Sequence, residues 1–210
     1  MSIADEVSGG RREQTKAANR AAIMVAARDV FSEMGYGSAS VRDVVRRTEL
    51  ASGTFYNYFP DKESLFRALI EESAVQIRAC VQAARRDARS PREFVEAGYR
   101  EYFRFLASEP EAFELMRRNS GTIRAMFDEP VFGAGVEELA SDLRGAMAQG
   151  TVPPLDPDYM AAAMVGAALE VSVEMLKREP PDVEGATHFA TTVFLGGIER
   201  LGAGWDGWST

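Results

Sequence analysis

The stretch Ser40–Lys62, SVRDVVRRTELASGTFYNYFPDK, decides how the chain is read. Ser40 before Val41, with Asp43 three residues on, is a short-acid variant of the capping box. It starts a helix in which Val44 and Val45 turn inward while Arg42, Arg46 and Arg47 stay outside. After Thr48 the chain must turn and begin again near Ser52. Residues 54–59 then make about two helical turns, with Phe55 and Phe59 four apart on the core side, and Pro60 ends them. What faces outward is a dense polar and aromatic set: Ser52, Thr54, Tyr56, Asn57 and Tyr58.

Upstream, Ile23, Ala26, Ala27, Val30, Phe31 and Met34 repeat at the spacing of a helix with one buried face, and Gly35 closes it. Three helices over residues 14–60 are the support a helix-turn-helix needs to set its second helix into a major groove. Residues 1–13 are Gly-rich and polar without periodicity and read as a flexible tail; its Arg11 and Arg12, with Lys16 just beyond, could touch a phosphate backbone.

Downstream, Asp61 caps a long helix carrying Leu65, Phe66, Leu69, Ile70, Ile77, Cys80, Val81 and Ala84 at helical spacing. Ser90-Pro91-Arg92-Glu93 combines an N-cap, a first-turn proline and a capping-box glutamate, and Ser108 to Glu111 repeats that logic. Breakers between Asn119 and Val131 predict an irregular connection. Val136, Leu139, Ala140, Leu143 and Met147 form the next amphipathic helix. Asp156-Pro157 opens a helix that is apolar almost all round from Met160 to Leu176, expected to be buried on more than one side. Gly185 to Leu201 forms the last, with Phe189, Val193, Phe194 and Leu201 among small residues. No run reads as a strand. The expectation is an all-α chain of about nine helices, with a helix-turn-helix domain at 14–60, a helical ligand-binding and dimerisation bundle at 61–202 and a C-terminal tail at 203–210.

Composition limits the function classes. A 210-residue chain with 46% hydrophobic residues can bury a core, and one cysteine (Cys80) and one histidine (His188) leave no disulfide framework and no zinc cluster. No metal or cofactor is expected. MSIADEVSGGRREQ lacks the basic, apolar pattern of a leader, and no apolar run is long enough to span a bilayer, so a cytoplasmic protein with no membrane partner is expected. The net charge of −8 is unevenly spread: residues 1–65 hold nine Lys/Arg and nine Asp/Glu, so the whole acidic excess lies after them. A neutral front end next to an acidic remainder suits a chain that meets phosphates at one end only. With no Gly-rich phosphate loop and no nucleophile elbow, the chain is not expected to be an enzyme.

The run Gly53-Thr54-Phe55-Tyr56-Asn57-Tyr58-Phe59-Pro60-Asp61-Lys62-Glu63-Ser64-Leu65, with Ala26-Ala27, Phe31, Gly35 and Ser40-Val41-Arg42-Asp43-Val44, closely resembles the DNA-binding domain of the TetR family of transcriptional regulators. The resemblance covers roughly residues 14–70. It implies that Tyr56 and Lys62 hold DNA phosphates, that Thr54 and Ser52 reach bases, that Ser40 and Arg42 touch the backbone or a base, and that Asn57 and Tyr58 lie near DNA. At the turn the family usually carries Ala-Gly-Val-Ser, whereas this chain has Thr48-Glu49-Leu50-Ala51. Glu49 in a left-handed conformation would be strained by roughly 1 kcal/mol. Ala51 offers no side-chain oxygen to cap the recognition helix, a loss of about 1 kcal/mol unless Ser52 substitutes, so the helix is expected to start one residue late.

The family's C-terminal region binds small ligands and dimerises, but it varies too much for residues to be carried across. Locally, Tyr99, Tyr102, Phe103, Phe113 and Met116 concentrate aromatic and flexible apolar side chains that could line a pocket for an apolar or aromatic ligand or simply form core. Met164 joins them on the apolar helix, where Glu170 could meet a cationic ligand, an interface cation or water. The two C-terminal helices suit a four-helix interface between two copies. The reading is a homodimeric, ligand-responsive regulator that binds a palindromic operator in double-stranded DNA and is released by a small-molecule effector, a repressor in the first instance. The alternatives are an activator of the same type and a helical interaction protein with weakened DNA binding.

Overall fold

The computed structural model of the chain describes residues 3–124 and 130–203, except the side chains at 3–11, 120, 124 and 130–132. All its regular elements are helices: α1 (Ile3–Met34), α2 (Val41–Val45), α3 (Ser52–Phe55), α4 (Lys62–Arg85), α5 (Pro91–Ser108), α6 (Pro110–Arg118), α7 (Ser120–Arg124), α8 (Pro130–Ala148), α9 (Pro157–Met175) and α10 (Val183–Gly202). The all-α expectation holds, with ten helices among the described residues. None of them is long and apolar enough to cross a membrane, and no described group of three or more His, Cys, Asp or Glu could hold a metal ion.

The chain divides into two compact units, Met1–Glu72 with Glu111–Ile123, and Ser73–Pro110 with Arg124–Thr210. This division differs from a cut at residue 60. The first half of α4 belongs to one unit and its second half to the other, and α6 belongs with the N-terminal helices.

In the first unit, Ile23, Ala27, Val30 and Phe31 of α1 meet Val44, Phe55, Phe59, Leu65, Phe66 and Leu69 in a core from which water is excluded. Phe31 packs edge-on against Phe66 at 5.5 Å between ring centroids, and Tyr36 lies 4.6 Å from the same ring. Gly35 takes the left-handed conformation (φ +76°) that ends α1, as its position predicts. From α6, Ala112 and Leu115 are buried. Asn119 fastens this segment: its amide accepts from the Tyr36 N–H at 2.6 Å and donates to the Leu115 carbonyl at 2.7 Å, with a longer donation to the Phe31 carbonyl at 3.5 Å.

The second unit buries Val95, Tyr99 and Phe103 of α5 with Leu139, Ala140 and Leu143 of α8, Met160, Ala161, Met164, Ala168 and Met175 of α9 and Ala186 and Ala190 of α10. Its helix starts follow the capping signals. Ser90 accepts from the Glu93 N–H and Asp156 accepts from the Asp158 and Tyr159 N–H groups.

Four expectations change. The polar residues from Ile3 onward, read as a tail, continue α1. The connection after Asn119 begins with a short helix, α7, while residues 125–129 and the tail at 204–210 lie outside the described residues. Helix α3 has four residues, and the chain beyond it is a hydrogen-bonded turn, with Asn57 N–H donating to Thr54, and Tyr58 and Phe59 N–H to Phe55. Finally, α9 is buried along one stripe rather than on several sides: Met160, Met164, Ala168, Ser172 and Met175 are covered, and Tyr159 is 78% exposed.

Candidate nucleic-acid interface

Helix α2 is set by its cap. Ser40 stands in extended backbone (φ −120°, ψ 160°), accepts from the Asp43 N–H at 3.3 Å, and donates its own N–H to Asp43 Oδ2 at 3.0 Å. These bonds hold the Asp43 carboxyl below the usual carboxylate range, the Ser40 hydroxyl contributing most. The cap leaves Arg42 and Arg46 exposed, and neither forms an ion pair among the described residues. Arg47, by contrast, is spoken for by a bidentate bond to Glu33.

The turn between α2 and α3 closes without strain. No described non-glycine residue has a positive φ, so Glu49 does not adopt the left-handed conformation expected of it. Thr48 does the closing instead: its hydroxyl donates to the Val45 carbonyl at 2.9 Å and accepts from the Leu50 N–H at 3.2 Å. At Ala51 the missing cap is as read, since it is the N-cap of α3 and makes no side-chain bond, but the helix does not start late: Ser52 directly after it is the first helical residue and does not take over the cap.

Within α3 and its turn, the buried Phe55 and Phe59 rings lie 6.0 Å apart and fix which way the segment faces. Ser52, Gly53, Tyr56 and Asn57 are left exposed, and Thr54 and Tyr58 half-buried. Tyr56, 59% exposed, rests edge-on against Phe55, and its hydroxyl has no partner among the described residues. A Cβ added at Gly53 would meet nothing within 4 Å and the backbone there is not left-handed, so the fold does not require this glycine.

Two residues expected at DNA are also bound within the chain. The Tyr58 hydroxyl accepts from Asn19 of α1 at 3.1 Å. Lys62 donates to the Tyr36 and Ala39 carbonyls at 2.7 and 2.8 Å, and its ammonium sits 4.3 Å from the Tyr36 ring centroid. An ammonium has three donors, so Lys62 keeps one for an outside acceptor while tying the α1–α2 loop to the start of α4. Sequence reasoning saw the charge and missed the tie. Lys62→Met is therefore expected to lower the chain's stability by about 1–2 kcal/mol, visible as a reduced Tm in the absence of DNA.

The residues expected to bind a ligand fall in both units. Tyr99, Phe103 and Met164 are buried together in the second unit with Tyr102 against them, the Tyr99 hydroxyl donating to the Met164 carbonyl at 3.4 Å. Burial pushes the Tyr99 phenol up to about 12 and raises Tyr102 as well, against its hydrogen bond with Ser172, so both stay neutral at ordinary pH. Phe113 and Met116 sit on α6, in the first unit, because the chain turns back into that unit at Glu111. Glu170 is exposed and belongs to no buried set.

The comparison with known proteins converges on the same stretch. Residues 23–69 match the family model described as bacterial regulatory proteins, tetR family. The whole fold is similar to the fatty acid degradation regulator FadR from Bacillus halodurans, at 22% identity and TM-score 0.73 over 85% of this chain and 95% of that one. A tetR family transcription regulator from Shewanella sp. PV-4 matches at 17% identity and TM-score 0.75, over 85% and 97% of the two chains. The transcriptional regulator FadR from Bacillus subtilis, solved in complex with stearoyl-CoA, matches at 18% identity and TM-score 0.69, over 84% and 98%. Residues 23–69 thus match the tetR family of bacterial regulatory proteins, and the chain has the fold of solved regulators described as members of that family.

Proposed function

We propose that this tetR-family chain is a dimeric repressor that reads a palindromic operator with α2, α3 and the turn after it, and leaves the DNA when a small amphipathic or apolar effector binds its second unit. The observation that carries the reading is the exposed set Ser52, Gly53, Tyr56 and Asn57 held outward on a buried Phe55 and Phe59, inside the segment that matches the family. Thr54 and Ser52 supply short side chains for base edges. Tyr56, Ser40, Arg42 and the remaining donor of Lys62 supply phosphate contacts, with Asn57 and Tyr58 alongside. The unpaired Arg42 and Arg46 give this face a local positive charge that the chain's net −8 conceals.

Dimerisation is supported by α10. Phe189, Val193 and Leu201 lie along one exposed face at intervals of four and eight residues, each more than half exposed in the single chain, with Gly197 between them. A stripe of that kind is the surface a second copy would cover. The effector reading rests on the methionine- and tyrosine-rich core of the second unit. It is supported by the likeness to a FadR solved with stearoyl-CoA, a ligand with a long apolar chain.

The test is binding to DNA from the promoter regions around the chain's own coding sequence, measured against salt. A repressor of this design loses affinity linearly in log–log against salt, with a slope set by the phosphates it contacts. Tyr56→Phe removes a hydroxyl that bonds nothing in the protein, so it is expected to weaken binding about 5–10-fold without changing Tm. Unchanged affinity in that variant, or binding that ignores salt, would remove α3 and its turn from the interface.

A further inference from the structure

The least explained charge in the chain is Arg85, at the C-terminal end of α4. Its Nε is buried and has no hydrogen-bond partner, and the guanidinium forms no ion pair among the described residues. Around it stand the Phe94 ring, 4.5 Å from the guanidinium carbon, and the α5 backbone at Gly98. A Cβ at Gly98 would collide with Nε, Nη2 and Cζ of Arg85, so the glycine is what lets the guanidinium lie against α5. Two other ionisable groups act on it through space: Asp142, exposed on α8, and the neutral Tyr99 phenol. Neither closes a bond with it.

Folded proteins satisfy buried donors, and a half-buried guanidinium whose Nε is closed off from water without a partner is a costly arrangement. Arg85 nevertheless sits at the edge of the apolar set formed by Phe94, Tyr99, Phe103 and Met164. A guanidinium presents a planar fork of donors that fits a carboxylate or phosphate with two parallel bonds. We infer that Arg85, seated on Gly98 and Phe94, is the recognition point for the anionic head of an amphipathic effector whose apolar part lies against Tyr99, Phe103 and Met164. The inference rests on the effector reading above and deepens it: the ligand carries a carboxylate or a phosphate, and a purely apolar molecule of the same length is discriminated against. Unbranched Met160, Met164 and Met175 in the same core can repack to admit the chain.

Calorimetric binding of octanoate, octyl phosphate and 1-octanol to the full chain tests this. At least one anion is expected to bind wild type about tenfold or more tightly than octanol, with the advantage gone in Arg85→Met and octanol affinity unchanged. Gly98→Ala, which pushes the guanidinium off α5, is expected to erase the same advantage while leaving the charge in place. An advantage for octanoate alone assigns a carboxylate, and one for octyl phosphate alone a phosphate. Without ligand, Arg85→Met is expected to raise Tm by about 2–4 °C, because it removes a half-buried charge that no ion pair or hydrogen bond compensates. A structural arginine would give the opposite sign. Equal binding of all three probes, an anion advantage that survives Arg85→Met, or no binding of either anion at about 5 mM overturns the inference. An anion advantage that leaves DNA affinity untouched keeps the Arg85 site and removes the effector reading.

Discussion

Asn119→Ala is expected to destabilise the DNA-binding unit by about 2–4 kcal/mol and to abolish operator binding at temperatures where the second unit is still folded. The side chain is buried, and its amide joins three segments of the first unit: the loop after α1 through the Tyr36 N–H, the end of α6 through Leu115, and α1 itself through Phe31. Truncation leaves the Tyr36 N–H without its side-chain acceptor. Tyr36 in turn carries the carbonyl and the ring against which Lys62 is set. Loss of the amide therefore loosens the loop that precedes Ser40 and the α2 cap. Two-step thermal unfolding with only the lower transition shifted is the expected record. A single unshifted transition would mean that α6 does not support the DNA-binding unit.

Val193→Glu is expected to convert the proposed dimer to a monomer and to lower operator affinity by about two orders of magnitude or more, roughly the loss of one of two half-site contacts. In a two-fold interface each substitution appears twice, so two carboxylates would be desolvated on one apolar stripe. Because Val193 is 58% exposed in the single chain, the change leaves the fold intact. Light scattering reads the mass, and an unchanged Tm of the monomer at low concentration separates lost assembly from lost folding. A dimer that persists in Val193→Glu would move the interface off the exposed face of α10.

The sequence made much of this legible because its signals are local. Ser40 with Asp43, Ser90 with Glu93 and Asp156 with Pro157 mark helix starts within four residues, and each N-cap forms as read, although Glu93 closes its side of the box on the Arg89 N–H rather than on that of Ser90. Gly35 ends α1 in the left-handed conformation for the same reason. What escaped depends on partners distant in the chain. Lys62 reads as a free cation until the carbonyls of Tyr36 and Ala39 are seen beneath it. Phe113 and Met116 read as neighbours of Tyr102 and Phe103, since helical periodicity says nothing about α6 joining a different unit. Arg85 drew no notice because its significance is a missing partner. Glu49 erred in the other direction: a strain inferred from what usually occupies the turn was relieved by Thr48, one residue away.

The discontinuous first unit also sets an order of manufacture. Its helix-turn-helix leaves the ribosome first, yet the α6 segment that completes it follows only after residues 73–110 have been made. At about 5–20 residues per second that interval lasts roughly 2–8 s, during which Phe31 and Tyr36 await the cover of Asn119. A nascent chain therefore completes its first unit only after the second half of α4 and all of α5 have been made, and before any of α8, α9 or α10.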